Sequence, residues 1–169
     1  MPEAPSPRLA AAALCPDCGL CCNGVLFDLV QLQPGDQVKP LVARGLKVKR
    51  RQFFRQPCQA LCGTRCKIYA DRPVRCREFE CRQFQQVAGG ALPAAEAIQM
   101  IAQAKVRVIQ VEQRLLGTAG DNRRKPLAHR VATALQVMPE GAESVALQQA
   151  MQGLQDLLAD HFRVSPLPA

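Results

Sequence analysis

Residues 93–117, PAAEAIQMIAQAKVRVIQVEQRLLG, decide the fold class. Ala94, Ala97, Ile101, Ala104, Val108, Val111 and Leu115 recur at steps of three and four, which places them on one face of an α-helix. Pro93 suits the first turn, where its missing N–H breaks no helical bond, and Gly117 suits the residue that ends a helix. The same period returns twice downstream. Leu127, Val131 and Leu135 follow Pro126 and precede Pro139 and Gly141. Leu147, Met151, Leu154, Leu158 and Phe162 form a third stripe. Between the first two stripes lies a turn with Gly120 and Asp121, then a basic trio, Arg123, Arg124 and Lys125. The stripes read as packing faces and not as a cofactor box. Residues 93–163 are therefore expected to form a three-helix extension.

Upstream of residue 93 the pattern changes. All nine cysteines lie between Cys15 and Cys81. Charge divides along similar lines: residues 1–30 sum to −2, 31–90 to +9 and 91–169 to +1. Residues 25–32 are rich in β-branched and aromatic side chains and are expected as a strand, stopped by Pro34 and Gly35. Residues 47–54 alternate loosely and are expected to pair with it, with a helical turn at 40–44 between them, ended by Gly45. The expected fold is mainly α, with an irregular, cysteine- and metal-stabilised N-terminal subdomain containing a short β-hairpin, and a three-helix C-terminal tail. The boundaries drawn from sequence are 12–90 for the cysteine domain and 93–163 for the helical extension.

Composition agrees with that class. The chain has 169 residues, about one domain, with 48% apolar residues but no Trp, one Tyr and six Phe. A core of Ala, Leu, Val and Ile suits helices better than a sandwich. No apolar run approaches the ~20 residues that a spanning helix needs. Residues 9–14 are apolar but too short for a secretory signal core, and Leu14 is too large for a cleavage site. The expected location is the cytoplasm, where thiols stay reduced. The odd cysteine count likewise disfavours a disulfide framework.

The first cysteine cluster reads Cys15-Pro-Asp-Cys18-Gly-Leu-Cys21-Cys22. Two thiolates three residues apart can both face one metal from a tight turn, the spacing of zinc knuckles and iron–sulfur sites. Pro16 and Gly19 favour a knuckle or a single helical turn over a long helix. The second cluster is Cys58, Cys62, Cys66, Cys76 and Cys81. A helix would stack Cys58, Cys62 and Cys66 on one side, although Gly63 opposes it. A metal joining the clusters would close the intervening loop and supply stability that a small aromatic-poor core lacks.

Several separated motifs carry a family resemblance. Cys15-x-x-Cys18-x-x-Cys21-Cys22, Gln56-Pro57-Cys58-x-x-Leu61, and Cys66-x-Ile68-Tyr69-x-x-Arg72-Pro73-x-x-Cys76-Arg77-x-Phe79-x-Cys81 follow one another in order. Together with Gly24, Leu26 and Phe27, this segment resembles the YkgJ-type CxxCxxCC cysteine cluster family, described as a zinc- or iron-chelating domain. The resemblance covers residues 12–90. It implies a metal site built from Cys15, Cys18, Cys21, Cys22, Cys58, Cys66, Cys76 and Cys81. Cys62 is additional to the pattern, a free thiol or a spare ligand. Eight thiolates serve two zinc ions, an iron–sulfur cluster plus a zinc, or one metal with unused thiols. Sulfur-only ligation argues for zinc or iron and against calcium or magnesium. His129 and His161 lie far from the clusters and are expected on helix surfaces.

The basic middle has two readings. Thirteen Lys and Arg between 31 and 90, including Lys47, Lys49, Arg50 and Arg51, either offset thiolate charge or bind nucleic acid. Charge balance is preferred, with Arg72, Arg75, Arg77 and Arg82 as donors to the thiolates. Three functions compete. The first is a protein whose bound metal ion is structural or chelated. The second is an iron–sulfur enzyme, since the flagellin lysine methylases share a similar cluster on a longer chain. The third is an adaptor that meets nucleic acid through the basic patch or a protein through the helical tail. Neither a Gly-rich nucleotide loop nor a catalytic triad is evident, which leaves an independent enzyme the weaker idea.

Overall fold

The computed structural model describes residues 6–50 and 52–164; Arg51, one of the basic residues noted above, lies outside them. In chain order the elements are α1 (Pro7–Cys18), β1 (Leu29–Gln31), α2 (Val38–Ala43), β2 (Phe53–Arg55), β3 (Leu61–Cys62) and β4 (Arg65–Cys66). A 3-10 turn (Tyr69–Asp71) follows, then α3 (Val74–Glu78), α4 (Arg82–Ala88), α5 (Ala94–Leu115), α6 (Leu127–Val137) and α7 (Ala142–His161). The fold is mainly α with short strand pairs and a helical C-terminal part, as the apolar periodicity predicts. Among the described residues no helix is long and apolar enough to cross a membrane.

Packing divides the chain into two compact units, each drawn from separated segments. The first takes residues up to Cys18, Glu80–Arg114 and those from Glu140 onward; the second takes Gly19–Phe79 and Leu115–Pro139.

In the first unit, Ala11 and Leu14 of α1, Val87 of α4, Ala97, Ile101, Ala104 and Val111 of α5, and Leu147, Leu154 and Leu158 of α7 are buried. These are the stripe positions of the sequence, extended by α1 and α4, which pack on each other. Helix ends are tied by polar groups. Ser144 accepts the Gly141 N–H at 3.0 Å at the start of α7. At its other end, Arg82 donates through its backbone N–H to the Phe162 carbonyl at 3.0 Å and through its guanidinium to that of Asp160. The Gln83 side chain donates to the His161 carbonyl at 3.0 Å.

The second unit is built from shorter pieces. β1 and β2 are antiparallel, with Val30 opposite Phe54. These two face inward, whereas Leu29, Gln31 and Arg55 are exposed, the two-residue period of a one-sided ribbon. Both strands are shorter than the sequence suggests. Turns hold residues 20–26, where the Val25 N–H donates to Asn23 Oδ1 and the Leu26 N–H to the Leu20 carbonyl. The Gln52 N–H donates to the Lys49 carbonyl at 2.8 Å, and the second strand starts only after it, at Phe53. The core of the ribbon is Val30, Leu32, Leu41, Leu46, Phe54, Ala60 and Ile68, with Cys58, Cys66 and Cys76 packed against it.

Two local expectations are corrected. The first cluster opens on a twelve-residue helix and not a knuckle, since α1 runs to Cys18 with Pro16 inside it. The preceding alanines favour helix, Ala11 and Leu14 are buried, and Pro16 falls in the last turn, so the bond it removes is near the end anyway. Cys58, Cys62 and Cys66 do not share a helix. Leu61 pairs with Cys66 and Cys62 with Arg65 in a β-hairpin, with Gly63 at φ 60° in its turn.

Candidate metal centre

Cys15 and Cys18 lie at the end of α1 in the first unit, one exposed and one half-buried. Gly19 then ends the helix at φ 74°, and a Cβ there would stand 3.2 Å from the Thr64 backbone, so this position favours glycine. The chain turns at once, the Cys22 N–H donating to the Gly19 carbonyl at 3.0 Å. This turn carries Cys21 and Cys22 to the second cluster. The Cys22 carbonyl accepts the Cys58 N–H at 2.8 Å, and the Gln56 side chain donates to the Cys21 carbonyl at 3.0 Å.

Three further segments bring the other thiols. At Cys58 the chain turns, with the Leu61 N–H on the Cys58 carbonyl at 3.0 Å. Cys66 ends the hairpin opposite Leu61. Cys76 rides on α3, whose first turn is fastened by Asp36. One carboxylate oxygen of Asp36 accepts the Val74 N–H and the other the Gln33 N–H, each at 2.8 Å.

The thiols act on one another. Burial pushes Cys22 from its ordinary 9.0 to about 12, and Cys58, Cys76 and Cys66 push in the same direction while Arg72 opposes them. Burial likewise raises Cys76 to about 12, with Cys58, Cys66 and Asp36 adding to the rise and Arg72 again opposing. Cys58 is raised by burial and by Cys66, but the amides of Ala60 and Leu61 face its sulfur and lower it. Four thiols from separate segments thus share one electrostatic neighbourhood in the second unit. As thiolates they would repel, and the raised pKa values of Cys22, Cys58 and Cys76 keep these three as neutral thiols near neutral pH when no cation is bound. Among the described residues no three Cys, His, Asp or Glu are gathered closely enough to hold a metal ion as they stand. Ligand sulfurs on a zinc ion lie roughly 4 Å apart, given Zn–S bonds near 2.3 Å, and thiolates brought to that distance need a positive charge between them.

The donor chemistry fits zinc or iron. It is sulfur-only, half-buried, aided by two amides and one guanidinium. Cys81 lies in the first unit as the residue that opens α4; burial raises its thiol, and the amides of Phe84 and Gln83 pull it down. Cys62 is exposed on the hairpin. None of the nine cysteines, all among the described residues, is in a disulfide. His129 is exposed on α6 and His161 half-buried at the end of α7.

Of the four arginines expected beside thiolates, Arg72 is the one that acts on Cys22 and Cys76. Arg75 and Arg77 are exposed on α3, and Arg82 is engaged with the end of α7. Arg72 also lies over the Tyr69 ring at 3.7 Å and donates to the Tyr69 carbonyl, which fixes its direction. Sequence reasoning missed Asp36 and Gln56 as positioning residues. The Pro34-Gly35-Asp36 turn was the available signal for Asp36, because an Asp at that place commonly bonds nearby amides.

No curated protein and no solved structure matches the chain. A family model does: CxxCxxCC, described as "Putative zinc- or iron-chelating domain", matches residues 14–104 and so includes all nine cysteines. With more than half its length matched, and with the paired and spaced cysteines in the order the motif demands, the chain belongs to the CxxCxxCC family.

Proposed function

We propose that the protein binds a zinc or iron ion through Cys22, Cys58, Cys66 and Cys76, and that this binding holds the loops of the second unit in place. The observation that carries the reading is that Cys58, Cys66 and Cys76 pack against one core while the Cys58 N–H donates to the Cys22 carbonyl, and that burial with the neighbouring thiols raises Cys22 and Cys76, which share Arg72. When bound, a divalent ion supplies the charge that turns their mutual repulsion into attraction. The chain does the rest. The Ala60 and Leu61 amides favour a thiolate at Cys58, Arg72 offsets negative charge at Cys22 and Cys76, and Asp36 positions α3. The role is structural or chelating, and a four-thiol site of this kind suits the reducing cytoplasm.

The test is metal analysis with an absorption spectrum on full-length protein purified without oxygen. Bound zinc gives a colourless protein, and iron on sulfur gives a brown one. Replacing both Cys22→Ser and Cys76→Ser should remove the metal, while Cys62→Ser should leave its content unchanged. Full metal content in the double variant would show that the ligands lie elsewhere.

A further inference from the structure

The β1–β2 ribbon carries charge that the thiols do not explain. From residue 37 to residue 70 the sequence has no Asp or Glu but nine Lys and Arg. Arg44 is paired with Asp71 at 2.9 Å. The cation acting on Cys22 and Cys76 is Arg72, outside that stretch; Lys49, Arg50 and Arg55 are not among the groups that shift the thiols. Instead these three are exposed around the ribbon's end, where the Lys49 N–H donates to the Phe53 carbonyl at 2.7 Å. With Phe53 they line one shallow, open hollow of about 380 Å³. The Arg55 guanidinium stands 5.8 Å from the centre of the half-buried Phe53 ring.

We propose that this hollow binds single-stranded nucleic acid, with backbone phosphates on Lys49, Arg50 and Arg55 and an unpaired base against Phe53. Clustered cations draw phosphates by releasing their counterions, and an aromatic ring among them offers a surface for any base. A duplex would satisfy the cations but keep its bases from the ring. An anionic membrane would satisfy the cations too, but among the described residues the hollow has no Leu, Ile or Val side chain to insert. The proposal is independent of which cysteines bind metal.

The test uses full-length, metal-replete protein and a short labelled oligothymidylate, read by fluorescence anisotropy across a salt series. Binding should weaken steeply with salt. Replacing Lys49→Ala, Arg50→Ala and Arg55→Ala together should weaken it by about tenfold or more and flatten the logarithmic salt slope by about 2. Phe53→Leu should cost about tenfold on the oligonucleotide but nothing on inorganic polyphosphate, and Phe53→Tyr should restore binding. Removing equal charge at Arg123, Arg124 and Lys125 should change nothing. The proposal is overturned by no binding, or by an equal loss in that control. It is also overturned by an unaffected Phe53→Leu, or by equal or stronger binding to a duplex or to phosphatidylglycerol vesicles.

Discussion

The two units solve the same problem with different materials. The first is built on long helices and buries the periodic stripes of α5 and α7, with Ala97, Ala104, Val111, Leu147, Leu154 and Leu158 fully enclosed. The second has strands of two or three residues and helices of five and six before α6. Its ribbon core is seven buried side chains, flanked by three cysteines. A long amphipathic helix makes its own core as it docks. Short elements gather too few apolar atoms each to offset the entropy of ordering them. In the second unit three thiols pack against the ribbon core, and on the proposed reading part of its cohesion comes from the metal they bind.

That contrast is open to attack, most forcefully by removing metal. With a strong chelator, hydrogen exchange should show protection lost through residues 19–79 and in α6, and largely kept in α1, α4, α5 and α7. Loss in α7 at the same chelator concentration would mean that the units do not differ in this way. A smaller and opposite effect should come from Leu154→Ala. Truncating this enclosed side chain should cost about 2–5 kcal/mol in thermal or denaturant unfolding of the first unit while leaving metal content intact. A metal content that fell with it would erase the distinction.

The smallest effect near neutral pH concerns protons. In metal-free protein the folded pKa values of Cys22 and Cys76 are raised from 9.0 to about 12. The folded state therefore holds more protons than the unfolded one between those values. Its stabilising share is complete below pH 9.0 and drains away as pH climbs toward 12. Metal-loaded protein should show the reverse slope on the acid side, because protons compete with the ion for sulfur. Urea midpoints measured across pH, with and without metal, test both signs. A flat apo profile above pH 9.0 would place these thiols in water.

The sequence was most readable where packing is periodic. The stripe from Ala94 to Leu115 predicts α5 and Pro126 marks the start of α6, while Gly141, read with Pro139 as the end of the second helix, is the residue that opens α7. The pairing of two strands either side of α2 was also visible, because Val30 and Phe54 sit in β-branched and aromatic runs. Cysteine spacing was less informative about shape. The Cys15-x-x-Cys18 pair suggested a knuckle but lies at the end of a helix set by its alanines, and the four-residue steps from Cys58 to Cys66 belong to a hairpin. Metal-ligand spacing specifies which sulfurs approach one another, and several backbones satisfy it. Arg72 illustrates the rest. Four arginines stood near cysteines in sequence, and only the fold separates the one facing two thiols from the one fastened to α7.

Gly24 carries a consequence for the order in which the molecule is made. Its carbonyl accepts the Leu127 N–H at 2.8 Å, and a Cβ on it would lie 3.0 Å from the Pro126 backbone. Because its φ is 82°, a side chain would strain the residue as well. The loop just after Cys22 is thus completed by a segment about a hundred positions downstream. On a ribosome adding about 5–20 residues each second, every cysteine has emerged several seconds before α6 can close over that loop. During this interval the thiols are open to oxidants and to any metal in reach. A chain cut at residue 104 would keep all the family's cysteines and never leave that vulnerable state.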